Sequence, residues 1–133
     1  MIHKLGGIAL GLAIAIAIMI FAEAIGYGLF GIGVGPDGEV PAGPPPTGVQ
    51  ISILLGWFLA ALAGSYAAMW LSRATWTAWV IAVVIVLAVI FRFALAPGPL
   101  WTMIAGAIAP LAGAWIAKQL PRKATERSDQ AAR

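Results

Sequence analysis

Hydrophobic residues along this chain fall into four long blocks, at about residues 5–30, 49–71, 76–95 and 100–120, separated by short polar or Pro/Gly-rich breaks. Each block reaches the roughly 20 residues with which a helix rising 1.5 Å per residue crosses about 30 Å of hydrocarbon. The break from Gly31 to Gly48 contains Gly-Pro-Asp-Gly, Pro-Ala-Gly-Pro-Pro-Pro and Thr-Gly, a composition that favours turns and polyproline II over a packed element. It reads as an exposed outer loop. Ser72-Arg73-Ala74 is short enough to force the third block back antiparallel to the second. Ala96-Pro97-Gly98-Pro99 makes a second outer turn, and Pro121 closes the fourth block. The pattern predicts an all-α integral membrane protein, an antiparallel four-helix bundle over residues 1–120. The polar, basic residues 121–133 read as a disordered tail.

Composition sharpens this reading. The chain has 133 residues, 62% of them hydrophobic and 10% charged, with a mean hydropathy of +0.96. No water-soluble domain of this size is expected to look so. With no cysteine, disulfides, thiolate metal sites and cysteine nucleophiles are excluded. The single histidine, His3, stands before the first block, which argues against a His-based metal cluster or a Ser/His/Asp triad. No cofactor motif and no nucleic-acid motif occurs, and a net charge of +3 carried by residues flanking the blocks suits anionic lipid headgroups.

Orientation follows from the basic residues, because short loops rich in Lys and Arg stay in the cytoplasm. Lys4, Arg73, Lys118, Arg122, Lys123, Arg127 and Arg133 fall on one side, and of the eight Lys and Arg only Arg92 approaches the other. Both termini are therefore expected inside. Tyr27 and Trp101 mark the outer interface, and Trp70, Trp76, Trp79 and Trp115 the inner one. A cleaved signal peptide is the rival reading of the first block, since Ala22-Glu23-Ala24 resembles a cleavage site after a basic start. The apolar run before it is longer than the roughly 7 to 15 residues of a signal core, so a retained span is expected.

Helices in a bilayer associate by close contact between small residues. Gly56, Ala60, Gly64 and Ala68 make such a ladder on the second span. Ala105, Ala109, Gly113 and Ala117 make another on the fourth, and Gly7 and Gly11 begin one on the first. These faces are expected in the bundle core, with the third span showing lipid its widest face. Pro110 lies mid-span in the fourth helix, removes a backbone donor and predicts a kink.

Glu23 is the one ionisable group well inside a span, and intramembrane charge is costly enough to need a reason. At 1.5 Å per residue it stands about 27 Å above Leu5, and Arg92 about 24 Å above Trp76, so both belong to the outer half. One expectation is an ion pair across the first and third helices, with Tyr27 or Trp57 donating to the carboxylate, forming a polar site beneath the proline-rich loop. The other is that Glu23 faces outer water or is neutral, while Arg92 snorkels to the headgroups.

The residues Glu23, Pro44 to Gly48, Gly56-Trp57 through Gly64, and Pro99-Leu100-Trp101 give a pattern that resembles a group of small bacterial four-span membrane proteins of unknown function. The likeness covers most of the chain, although members often read His-Pro where this chain has Gly98-Pro99. It implies a four-span topology in a bacterial inner membrane and no particular activity. The small multidrug exporters also have four spans and a glutamate in the first helix. Their glutamate lies nearer mid-helix, their loops are short, and their third-helix aromatic pattern is missing here.

Three functions can be set against these residues. The first is a non-enzymatic accessory, assembly or structural membrane subunit, in contact with lipid and with a membrane-protein partner or a second copy of itself. The second is a proton-coupled exporter or oligomeric channel centred on Glu23. The third is an enzyme using Glu23 or Asp37, which lacks the second positioned group that acid–base work needs. The missing catalytic and cofactor groups favour the first.

Overall fold

A computed structural model describes residues 2–31, 43–95 and 98–131, with backbone alone for 121–131. Among these residues the chain is all-helical: α1 (Ile2–Phe30), α2 (Thr47–Ser72), α3 (Thr77–Leu95) and α4 (Leu100–Ala131). Each helix is long and apolar enough to cross a membrane, α4 by its stretch Leu100–Leu120. Most of the outer loop expected at 31–48 lies outside the described residues. Its end does not, and Thr47 and Gly48 already belong to α2. At the other end of the chain, α4 continues as helix past Pro121 to Ala131, where the sequence reads as a disordered tail. Proline removes one helical N–H bond, and the Lys, Ala, Glu, Arg and Gln that follow are good helix formers, so the loss stays local.

The α2–α3 turn is closed by side chains standing in for the backbone bonds that helix ends lack. Arg73 takes a left-handed conformation at φ 52° and donates its N–H to Met69 O at 2.9 Å. Ala74 N–H donates to Ser72 Oγ at 3.2 Å, and Thr77 Oγ1 donates to Ala74 O at 2.7 Å. Ser72 Oγ and Thr77 Oγ1 lie 3.0 Å apart. Two turns back along α2 from Ser72, Ser65 Oγ donates across the hairpin to Ala78 O at 3.1 Å.

Small residues decide how the helices stack. α2 is central and touches the other three, α1 meets α3 only lightly, and α1 and α4 do not touch among the described residues. Between the antiparallel α1 and α2, backbones meet directly: Gly7 faces Ala68 and Ser72, Gly11 faces Gly64, Gly56 faces Ala22, and Gly26 faces Ser52. Gly7, Gly11 and Ala15 on α1, and Gly56, Ala60, Gly64 and Ala68 on α2, are all buried. Ser52 Oγ locks this seam by donating to Ala22 O at 3.0 Å.

The α4 seam is rotated from the expected one. Thr102, Gly106, Pro110, Gly113, Ala114 and Ala117 are buried, while Ala105 and Ala109 are only half-buried. The bulk of Trp57 on α2 sets the rotation, because a Cβ at Gly106 would stand 2.5 Å from its ring. Gly113 likewise rests on the α2 backbone at Phe58. Pro110 is fully buried, and the helix runs on through it.

The widest outward face belongs to α1 and not, as expected, to α3: 17% of the apolar window of α1 is buried, against 28% for α3 and 44% for α2. α1 lies at the edge of the bundle with α2 as its main neighbour, whereas α3 packs chiefly on α2 and α4, burying Ala78, Ala82, Ile85 and Val89, and sets Ile81 against the Gly11–Gly64 seam. The alternating directions bring Lys4, Arg73 and Lys118 to one end together with Trp70, Trp76, Trp79 and Trp115. There Lys118 Nζ sits 5.3 Å from the Trp79 ring centroid, in a cation–π contact.

Candidate functional site: an ion pair beside a cavity under the proline turns

The opposite end of the bundle carries the polar groups that the apolar blocks otherwise exclude. α1 and α3 run in the same direction, so residues near the ends of both helices come level. Glu23 stands two turns before the end of α1 and Arg92 one turn before the end of α3. Arg92 Nη1 and Glu23 Oε1 are 2.8 Å apart, a charge-assisted contact between side chains that are each somewhat more than a third exposed. The pair ties together two helices that otherwise scarcely meet.

Beside it lies a cavity of about 190 Å³. Its walls are Tyr27 from α1, Gln50, Ile53, Leu54 and Trp57 from α2, Arg92 and Phe93 from α3, and Thr102 from α4. Gly43-Pro44-Pro45 and Gly98-Pro99 form its rim. The rim is held by side chains below it: Gln50 Nε2 donates to Pro45 O at 2.6 Å, and Thr102 Oγ1 donates to Pro99 O at 2.6 Å. Gln50 is 9% exposed, and its Oε1 has no hydrogen-bond partner among the described residues. A buried acceptor left unpaired costs about 1 to 3 kcal/mol, so its presence asks for a reason.

Of the four polar-site residues picked out from the sequence, Arg92, Tyr27 and Trp57 line one cavity, and Glu23 reaches it through Arg92. The expected donation from Tyr27 or Trp57 to the carboxylate does not occur among the described contacts. Trp57 is buried with its ring against Gly106, and Tyr27 lies one turn beyond Glu23 with its side chain on the cavity. Sequence reasoning missed Gln50 and Thr102. Gln50 carried a usable signal, since it is a carboxamide inside an apolar span, one turn below Pro44-Pro45-Pro46.

Chemically, the cavity offers the Arg92 guanidinium, the Tyr27 phenol and apolar ring walls, while Gln50 Oε1 lies too deep to be reached from it and the acid stands outside it. No group of three or more His, Cys, Asp or Glu side chains capable of holding a metal occurs among the described residues. Comparison with known protein families, with curated proteins and with solved structures returns no match.

Proposed function

We propose that this chain is a multi-pass protein of a bacterial inner membrane, with both termini in the cytoplasm, acting as a non-enzymatic accessory or structural subunit in a larger membrane assembly. Four helices of membrane-crossing length support the membrane part of the reading. The excess of basic residues at one end supports the orientation, and the resemblance to small bacterial four-span proteins supports the location.

The observation that carries the functional part is the engagement of Glu23. The only acid inside a span is closed on Arg92 at 2.8 Å, which gives the intramembrane charge a structural task. A proton-coupled exporter or channel would require Glu23 to leave Arg92 in each cycle, and ranks second for that reason. The glycine face of α1 is spent on α2, so a partner of α1 docks on its outward side, where Ala9, Ala13 and Ala17 and several large apolar side chains are exposed. Ile16, Ile20 and Phe21 on α1 are one such group, each more than half exposed.

Photocrosslinkers placed at Ile16 and Phe21 in the full chain test the reading. Expected is one crosslinked species of fixed stoichiometry, either a partner protein or a second copy. A chain that stays monomeric and partnerless from both positions counts against it. pH-dependent flux in liposomes that disappears in Glu23→Ala would move the assignment to the exporter.

A further inference from the structure

We propose that a groove on the outer side of the α2–α3 hairpin, at the end of the bundle away from the ion pair, holds a phospholipid of net negative charge, with its phosphate at Arg73 and its acyl chain along α2. The groove encloses about 270 Å³ and is lined by Tyr66, Met69, Trp70, Arg73, Ala74 and Thr75. The first four fall at i, i+3, i+4 and i+7, which is one face of a helix. Met69 is buried and makes the floor, while Tyr66 and Trp70 stand beside it, 45% and 72% exposed. The groove therefore opens outward from the bundle, to lipid if the helices cross a bilayer.

Charge sits at one end of this groove only. Arg73 caps α2 in the break between two spans, where headgroups stand, and Tyr66 lies seven residues back, about 10 Å toward the middle of the bilayer. The matching occupant carries an anion at its head and hydrocarbon behind it, whereas a free phosphate would leave the Trp70 and Tyr66 walls uncovered. A guanidinium grips phosphate oxygens with its fork of N–H donors. The other polar side chains of the turn are engaged with each other and with Ala74, at Ser72 Oγ and Thr77 Oγ1. The dipoles of α2, ending at Ser72, and of α3, starting at Thr77, oppose each other here, so the guanidinium sets the sign of the local field. Arg73 also keeps a long side chain at φ 52°, where the backbone favours glycine. A lipid phosphate already compensated by an ammonium on its own head gains less from Arg73 than one of net negative charge, which sets the preference.

This inference rests on the membrane reading, which alkaline carbonate extraction checks separately: release of the chain from membranes would sink that reading whatever the groove binds in detergent. For the groove itself, full-length protein in mild detergent is titrated with short-chain phosphatidylglycerol and short-chain phosphatidylcholine, and the first bound lipid is counted by native mass spectrometry. Expected is a preference of about fivefold for phosphatidylglycerol, the ratio that one Lys or Arg beside an anionic lipid supplies. Arg73→Gly should bring that ratio to near one while melting no lower than the wild-type chain, because glycine suits the left-handed position. Lys118→Gln removes a cation from the same end of the bundle but outside the groove, and should leave the preference within about twofold of the wild-type value. Equal binding of the two lipids by the wild-type chain overturns the proposal, and so does a preference that survives in Arg73→Gly. An equal loss in Lys118→Gln also overturns it, by assigning the preference to diffuse surface charge. Displacement of the lipid by inorganic phosphate at matched concentration would give the site to a soluble anion, and a second copy of the chain bound in place of lipid would give it to a protein contact.

Discussion

At Gly11 and Gly64 two helix backbones touch: a Cβ built on Gly11 would stand 2.5 Å from Gly64 O, and one on Gly64 2.6 Å from Gly11 O. Neither neighbour is a flexible side chain that can swing away. Gly11→Val should therefore destabilise the bundle by about 2 to 3 kcal/mol through overpacking. Gly28, on the same helix, has nothing within 4 Å of its would-be Cβ, so Gly28→Ala should be neutral or stabilise by about 0.5 kcal/mol through helix propensity. Thermal melts of the two variants in one detergent would check the contrast, and similar effects would refute the seam. Arg73 is the reverse case, a side chain at φ 52° where glycine is preferred. Arg73→Gly should stabilise the α2–α3 hairpin by about 1 kcal/mol, while weakening the basic bias on which the proposed orientation depends.

Between elements, the most informative contact is the one joining α1 to α3. A double-mutant cycle on Glu23→Gln and Arg92→Gln should give a coupling of about 1 kcal/mol or more in unfolding free energy. Strictly additive losses would reduce the pair to a chance proximity. The α2 ladder was open to reading from sequence, because Gly56, Ala60, Gly64 and Ala68 repeat every fourth residue and leave one choice of face. On α4 the same logic finds Gly113 and Ala117, which are buried, but also picks Ala105 and Ala109, which are only half-buried. Residues 105 to 114 read Ala-Gly-Ala-Ile-Ala-Pro-Leu-Ala-Gly-Ala, small on several sides at once, and the bulk of Trp57 and Val89 on other helices selects Gly106. Charge was legible as an anomaly in an apolar block, and Gln50 and Thr102 bond proline carbonyls only five and three residues away, but that they share one cavity with Arg92 depends on how three helices come together.

For the molecule as a whole, the asymmetry between its ends matters most. Lys4, Arg73 and Lys118 share one end with the exposed Trp70 and Trp115, and the other end holds the ion pair and the cavity. A reporter active only in the cytoplasm, fused after Arg133, should be active, and the same reporter inserted in the 31–48 loop should be silent. The opposite pattern would invert the assigned topology. The four blocks and their order could be read from hydropathy alone, because bilayer thickness fixes a length that any long apolar run reveals. The peripheral seat of α1 could not be read, since it depends on which helix the others crowd around. That seat implies a modular build: with α1 leaning chiefly on α2 and clear of α4, cutting the gene within codons 32–42 should yield two polypeptides that reassociate when produced together, the three-helix piece serving as a template on which the first helix clips into its glycine groove.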